Sequence, residues 1–327
     1  MSRRWTEVSK TLEQLNLVAF VDIDEEAAKA RAADYGGSPL VSTDLTAALE
    51  EAKPDVVFDC TIPDAHTAVT LEALDHGCHV LGEKPLSSSM ESARKVVATA
   101  EAAGLTYAVI QNRRYDPNIR GLARTLRNDG IGLLTTVNSD FYIGAHFGGF
   151  RDHMPHVLLL DMAIHTFDAA RLITGADPVS VYCKEWNPAG SWYDRDASAV
   201  AIFEMTGGIV YTYRGSWCSE GLNTTWECDW RIIGQRGSIT WDGAEAFGGE
   251  SIAESGAFRS TYEPMQVDPP NAGDRIGGHE GVITEFVDSV LNGRTPETVC
   301  SDNIKSLAMV FGAIESAEQG TPVDIHW

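Results

Sequence analysis

Residues 54–85 read P-D-V-V-F-D-C-T-I-P-D-A-H-T-A-V-T-L-E-A-L-D-H-G-C-H-V-L-G-E-K-P. Positions 55–60 form a nearly all-apolar run of the kind that is buried on both faces of a parallel sheet. A helix over 65–75 follows, and a second short strand, 78–82, closes the β-α-β unit. The pattern extends in both directions. Upstream, Ser2 can cap a helix carrying Trp5, Val8, Leu12 and Leu15 on one stripe. Strand 17–21, helix 25–35, an extended piece near Leu40 and helix 43–52 come next. Downstream lie helix 88–103 and strand 105–110. Such alternation predicts an α/β domain with a doubly wound parallel sheet covered by helices.

From about Pro117 the character changes. One helix, 118–128, leads into runs with period-two alternation, such as Val137, Ser139 and Phe141 or Val179, Val181 and Cys183. Runs 199–205 and 209–214 flank Thr206-Gly207-Gly208 as a hairpin, and 230–233 with 238–241 flank a second glycine-bounded turn. A helix is expected over 156–174, and two more over 280–292 and 302–318, the last stopped by Gly320-Thr321-Pro322. The expected division is a Rossmann-like domain over 1–117 and an α/β domain with an open, mostly antiparallel sheet over 118–327.

Composition narrows the function. Lys and Arg number 25 against 47 Asp and Glu, a formal charge of −22, which argues against a phosphate-binding nucleic-acid surface. No apolar run approaches the ~18 residues that span a bilayer, and no secretory signal follows Arg3-Arg4; a cytoplasmic protein without membrane contact is expected. The 6 cysteines are scattered without C-x-x-C spacing and read as buried free thiols.

Three places carry candidate chemistry. Asp22 ends the strand 17–21, where an acid can accept hydrogen bonds from an adenosine ribose; it equally suits a solvated turn before a helix capped by Asp24. Gly82-Glu83-Lys84-Pro85 puts a lysine at the carboxyl end of a parallel strand, where open α/β sheets bind ligands, although a surface-loop lysine has the same appearance. Asp161 and His165 stand four apart on one helix, as a working acid and imidazole or as an ordinary helix ion pair.

Taken together, the chain resembles the glucose-fructose oxidoreductase, inositol dehydrogenase and MocA family. The residues that carry the resemblance are Glu83-Lys84-Pro85, Asp161 and His165, Thr61-Ile62-Pro63 with His66, and Gln111-Asn112-Arg113-Arg114-Tyr115-Asp116-Pro117. The resemblance implies a nicotinamide cofactor, a sugar, inositol or related polyol substrate, and a homodimer or homotetramer. It places Lys84, Asp161 and His165 at the catalytic site, and Asp22, Thr61, Ile62, Pro63, His66, Glu83, Lys84, Asn112 and Arg113 around the cofactor. An acidic Asp22 with no arginine directly after it favours NAD over NADP.

The sequence departs from that family at its start. The family opens with a strand and a G-x-G-x-x-G-type loop that lets backbone and helix N-terminus approach the pyrophosphate. Here Met1 stands about where that loop ends, and no glycine precedes Gly36. The expectation is that the frame begins upstream, that the chain is a shortened form, or that cofactor binding has been lost; the neighbours of the missing strand should then have exposed edges. Two alternatives follow: a degenerate, non-catalytic binding or regulatory relative, and a metal-assisted lyase or isomerase using His146, His153, His156 and His165 near Asp161.

Overall fold

A computed structural model describes residues 2–256, 258–269, 271 and 277–327. The chain forms two compact units, Met1–Tyr115 with Arg275–Ile304, and Asp116–Asp274 with Lys305–Trp327. The first unit therefore takes in the helix His279–Leu291, which a single division at 117/118 gives to the second. Burial explains the difference: Val282, Ile283, Phe286 and Val287 share one core with Trp5, Val8, Leu81 and Ile110.

In the first unit α1 (Ser2–Ser9), β1 (Ala19–Val21), α2 (Glu25–Tyr35), β2 (Leu40–Ser42), α3 (Leu45–Ala52) and β3 (Val56–Asp59) alternate as the sequence predicts. They are followed by α4 (Pro63–Asp75), β4 (His79–Gly82), α5 (Met90–Ala103) and β5 (Tyr107–Val109). Local chemistry sets the helix ends. The side chains of Asp24, Asp44 and Ser89 accept from first-turn amides of α2, α3 and α5, Pro63 opens α4, and Gly104 at φ 67° closes α5. The stripe expected to run to Leu15 stops being helical after Ser9, yet Leu12 and Leu15 still pack on the core.

The parallel strands lie in two pieces. β1 pairs with β2, and β3, β4 and β5 form a three-stranded sheet in that order. Among the described residues β1 and β3 each have one strand partner.

The second unit begins with α6 (Pro117–Arg127), capped by Asp116. Its sheet holds β6 (Leu134–Tyr142), β7 (Pro178–Trp186), β8 (Ser198–Met205), β9 (Ile209–Ser216), β10 (Asp229–Gly234), β11 (Gly237–Trp241), β12 (Phe247–Glu254), β13 (Thr261–Pro264) and β14 (Val323–Asp324). The order is β13-β12-β11-β10-β6-β9-β8-β7-β14, antiparallel throughout except for the parallel pair β6 and β9. Both expected hairpins, β8-β9 and β10-β11, are present. Alternation buries Val181, Phe203, Tyr211, Val137 and Ile232 on one face and leaves Tyr182, Ile202 and Val210 exposed on the other.

The helix expected over 156–174 is interrupted. Leu158–Ala163 is a π-helical turn, and the α-helix proper is Ile164–Thr174, ended by Gly175 at φ 65°. All six cysteines are free, with Cys78, Cys183, Cys228 and Cys300 buried. Among the described residues no helix is long and apolar enough to cross a membrane.

Candidate active site

In the first unit, the candidate residues follow the carboxyl ends of the parallel strands, where open sheets bind ligands. Asp22 comes directly after β1 and is exposed; one of its oxygens accepts from the Asp24 amide at 3.0 Å, which fixes the turn into α2. After β3, Thr61 and Ile62 are exposed and Pro63 starts α4.

His66 sits differently from its neighbours in that loop. It is 1% exposed, and its Nδ1 lies 3.0 Å from Asp59 Oδ2. The other Asp59 oxygen accepts from the Thr61 amide at 3.0 Å and from its hydroxyl at 2.6 Å. His66 therefore supports the β3–α4 loop from beneath. Asp59, overlooked in the sequence as part of an apolar strand, is the anchor of that support. Its signal was a single acid closing an otherwise hydrophobic run.

The segment after β4 is held equally firmly. Glu83 is buried and its Oε1 accepts from the Trp5 indole N–H at 2.8 Å, with His279 Nε2 at 3.9 Å. Burial pushes the Glu83 carboxyl above its usual range, opposed by the Trp5 hydrogen bond and by Lys84. Burial lowers His279, so a neutral imidazole faces this carboxyl. Lys84 is half-buried, and the Lys84-Pro85 peptide is cis. Asn112 and Arg113 open a 3-10 turn after β5.

These residues fit part of a dinucleotide. Asp22 supplies an exposed acceptor at the end of β1, where a ribose could be met, while Thr61–Pro63, Glu83–Lys84 and Asn112–Arg113 follow the ends of β3, β4 and β5. Next to them Gln111 is 1% exposed, and its amide nitrogen and oxygen have no hydrogen-bond partner. A buried carboxamide left in that state is completed by water or a ligand.

In the second unit, Asp161 lies in the π-helical turn and His165 at the start of the α-helix; both are half-buried. Extra residues in a helical turn are a frequent mark of functional positions. Nδ1 of His165 is buried. Arg151, not singled out in the sequence, donates to both oxygens of Asp161, Nε to Oδ2 at 2.8 Å and Nη2 to Oδ1 at 3.4 Å.

The other three histidines offered as metal ligands are engaged separately. His146 meets Glu220 at 2.9 Å, His153 meets Asp194 at 2.6 Å, and His156 Nδ1 meets the buried Glu185 at 2.6 Å. The Glu185 hydrogen bond raises His156, and burial raises Glu185, so this pair holds a proton tightly. No three His, Cys, Asp or Glu side chains converge as a metal site among the described residues, so the ligand set imagined for a lyase or isomerase is dispersed over three carboxylates.

Comparison with known proteins adds to this geometry. Residues 1–111 match the model of an oxidoreductase family with an NAD-binding Rossmann fold, and residues 119–240 match the GFO/IDH/MocA C-terminal domain. The chain is 31% identical over 299 residues to an inositol 2-dehydrogenase/D-chiro-inositol 3-dehydrogenase of Lacticaseibacillus casei, covering 88% of this chain and 81% of that one. It is 28% identical over 331 residues to the protein y4oX of Sinorhizobium fredii, covering 95% and 88%. Among solved structures, an oxidoreductase from Agrobacterium radiobacter in complex with NAD+, L-tartaric acid and magnesium superposes with a TM-score of 0.84 at 21% identity, covering 99% and 95%.

Proposed function

The chain belongs to the GFO/IDH/MocA family of oxidoreductases, and on that premise we propose that it moves a hydride between NAD and a carbon of a sugar, inositol or related polyol. The observation that supports this reading is that the first unit carries Glu83-Lys84-Pro85 after β4 and the second carries Asp161 and His165 at its π-to-α junction.

In the oxidative direction His165 Nε2 takes the proton of the reacting hydroxyl, and the carbon gives up its hydride as the carbonyl forms. Imidazole suits the task because it exchanges a proton near neutral pH in either direction. Lys84 donates a hydrogen bond to the reacting oxygen, which stabilises the negative charge that develops there and polarises the carbonyl in reduction. Asp161 accepts from a neighbouring substrate hydroxyl. The nicotinamide, when bound, supplies the hydride acceptor or donor. Asp22 would receive the ribose hydroxyls, and its carboxylate disfavours a 2′-phosphate. Thr61, Ile62, Pro63, Asn112 and Arg113 would line the cofactor, with His66 and Asp59 holding the loop of the first three.

The exposed face of the second-unit sheet suits a second copy of the chain. Tyr182, Trp186, Ile202 and Val210 are 39–44% exposed on neighbouring strands, a patch that monomers seldom leave open. We propose a homodimer or homotetramer on this basis, and light scattering that returned a monomer at micromolar concentration would count against it.

The activity is tested by following reduced-nicotinamide absorbance with a panel of inositols, aldoses and glycosides. NAD is supplied at up to ~1 mM, the upper end of common enzyme ligand constants. At least one polyol should reduce NAD, and His165→Ala should lower its rate by roughly 10²–10⁴. Turnover by the His165→Ala variant equal to the parent's would remove the catalytic assignment.

A further inference from the structure

The Asp161 carboxylate is held from one side by an arrangement that the local sequence builds. Arg151 grips both of its oxygens, and the same guanidinium lies 5.0 Å from the ring centre of Phe147 and 4.8 Å from that of Phe150. The sequence between the rings is Phe147-Gly148-Gly149-Phe150, and both glycines have positive φ, 69° and 70°. A Cβ at either would meet no atom, so conformation and not space is what calls for glycine there. This turn brings two aromatic faces onto one cation.

Phe147 is in turn anchored. It lies 5.1 Å edge-on from Trp217, which lies 4.9 Å from Phe141, and both of those are buried. The guanidinium is thus tied through Phe147 to the sheet core, and its fork fixes the plane of the carboxylate, something a single-point cation such as lysine does not do. Arg151 remains 31% exposed, and its Nη1 has no hydrogen-bond partner among the described residues.

We propose that Arg151 is the positioning residue for Asp161, and that the two together read a pair of adjacent substrate oxygens. Asp161 accepts from one hydroxyl while Arg151 Nη1 donates to the oxygen on the next carbon. This assignment rests on the polyol reading above and narrows it to substrates with vicinal oxygens at this position.

The test compares the parent with Arg151→Ala and Arg151→Lys on an oxidised polyol and on its analogue lacking the neighbouring hydroxyl. Arg151→Ala should raise KM for the polyol by about tenfold or more, with a smaller change in kcat, and should raise it clearly less for the deoxy analogue, which loses only the positioning of Asp161. Added guanidinium ion at non-denaturing concentration should restore part of the loss in the alanine variant, and Arg151→Lys should fall between parent and alanine. Equal losses on both substrates, or no change in KM, would overturn the proposal.

A parent that oxidises no polyol would instead sink the functional reading. The pairing is then decided without turnover, from the urea midpoints of Arg151→Ala, Asp161→Ala and the double variant. Coupled residues give a double variant no less stable than the weaker single one, whereas additive shifts would show that Arg151 does not hold Asp161.

Discussion

Trp5→Phe is the substitution that tests how the Glu83-Lys84-Pro85 segment is held. Trp5 is 2% exposed, sits edge-on 5.3 Å from Phe58, and donates its indole N–H to Glu83 Oε1 at 2.8 Å. Phenylalanine keeps most of the ring packing and deletes the donor. A hydrogen bond to a charged group contributes about 1.5–3 kcal/mol, and one to a neutral group about 1. The smaller ring adds roughly 1 kcal/mol for the space it leaves.

The sum depends on pH. Burial already raises the Glu83 carboxyl, so the folded state binds its proton more tightly than the unfolded state does. Its contribution to stability is therefore greatest below the ordinary glutamate value of about 4.3 and declines as pH rises toward the folded value. Removing the Trp5 donor raises the folded value further. The variant should lose about 3 kcal/mol at about pH 7 and about 2 at about pH 4, because a raised carboxyl is more fully protonated at the lower pH and its hydrogen bond is then closer to a neutral one. Urea unfolding followed by far-ultraviolet circular dichroism measures both values. A loss of the same size at both pH values would refute the charged hydrogen bond, and a loss under about 0.5 kcal/mol would refute the packing as well.

Two further perturbations address the supporting networks. Asp59→Ala leaves the buried His66 imidazole and both Thr61 donors without their acceptor; it should cost about 3–5 kcal/mol in urea unfolding, and a cost under 1 would mean that the dyad does not hold the loop. The Glu185 hydrogen bond raises His156, so its stabilisation is full below the unfolded histidine value of about 6.5 and is lost as pH rises through the folded one. His156→Gln should accordingly cost about 2 kcal/mol at about pH 6 and less at about pH 9, and an imidazole that titrated below the ordinary value by NMR would contradict this.

How much of this was legible in the sequence depends on the range of the interaction that decides each feature. The β-α alternation of residues 17–110 and the hairpin around Thr206-Gly207-Gly208 are set by local periodicity and turn chemistry, and the structure has both. The return of His279–Leu291 to the first unit was invisible, because nothing in its own apolar stripe names the surface it packs against. The π-helical turn at Leu158–Ala163 likewise leaves no mark in a pattern that reads as ordinary helix. At the candidate site, short motifs flagged Lys84, Asp161 and His165, but not the residues that hold them. Trp5 is 78 positions from Glu83, and Arg151 precedes Asp161 by 10, so neither pairing follows a helical or strand spacing. Phe147-Gly148-Gly149-Phe150-Arg151 could have drawn notice as two aromatics around a glycine pair beside a cation, and Asp59 as a lone acid ending an apolar strand.

The central claim is transfer of hydride from a substrate carbon to the nicotinamide, and isotope transfer tests it without intermediaries. A polyol carrying deuterium at its oxidisable carbons is incubated with the protein and unlabelled NAD, and the reduced cofactor is analysed by mass spectrometry. Hydride transfer predicts reduced nicotinamide carrying one deuterium, all on one face of the ring, with formation lost in His165→Ala. Reduced cofactor without deuterium, or label scrambled with solvent, would contradict the account.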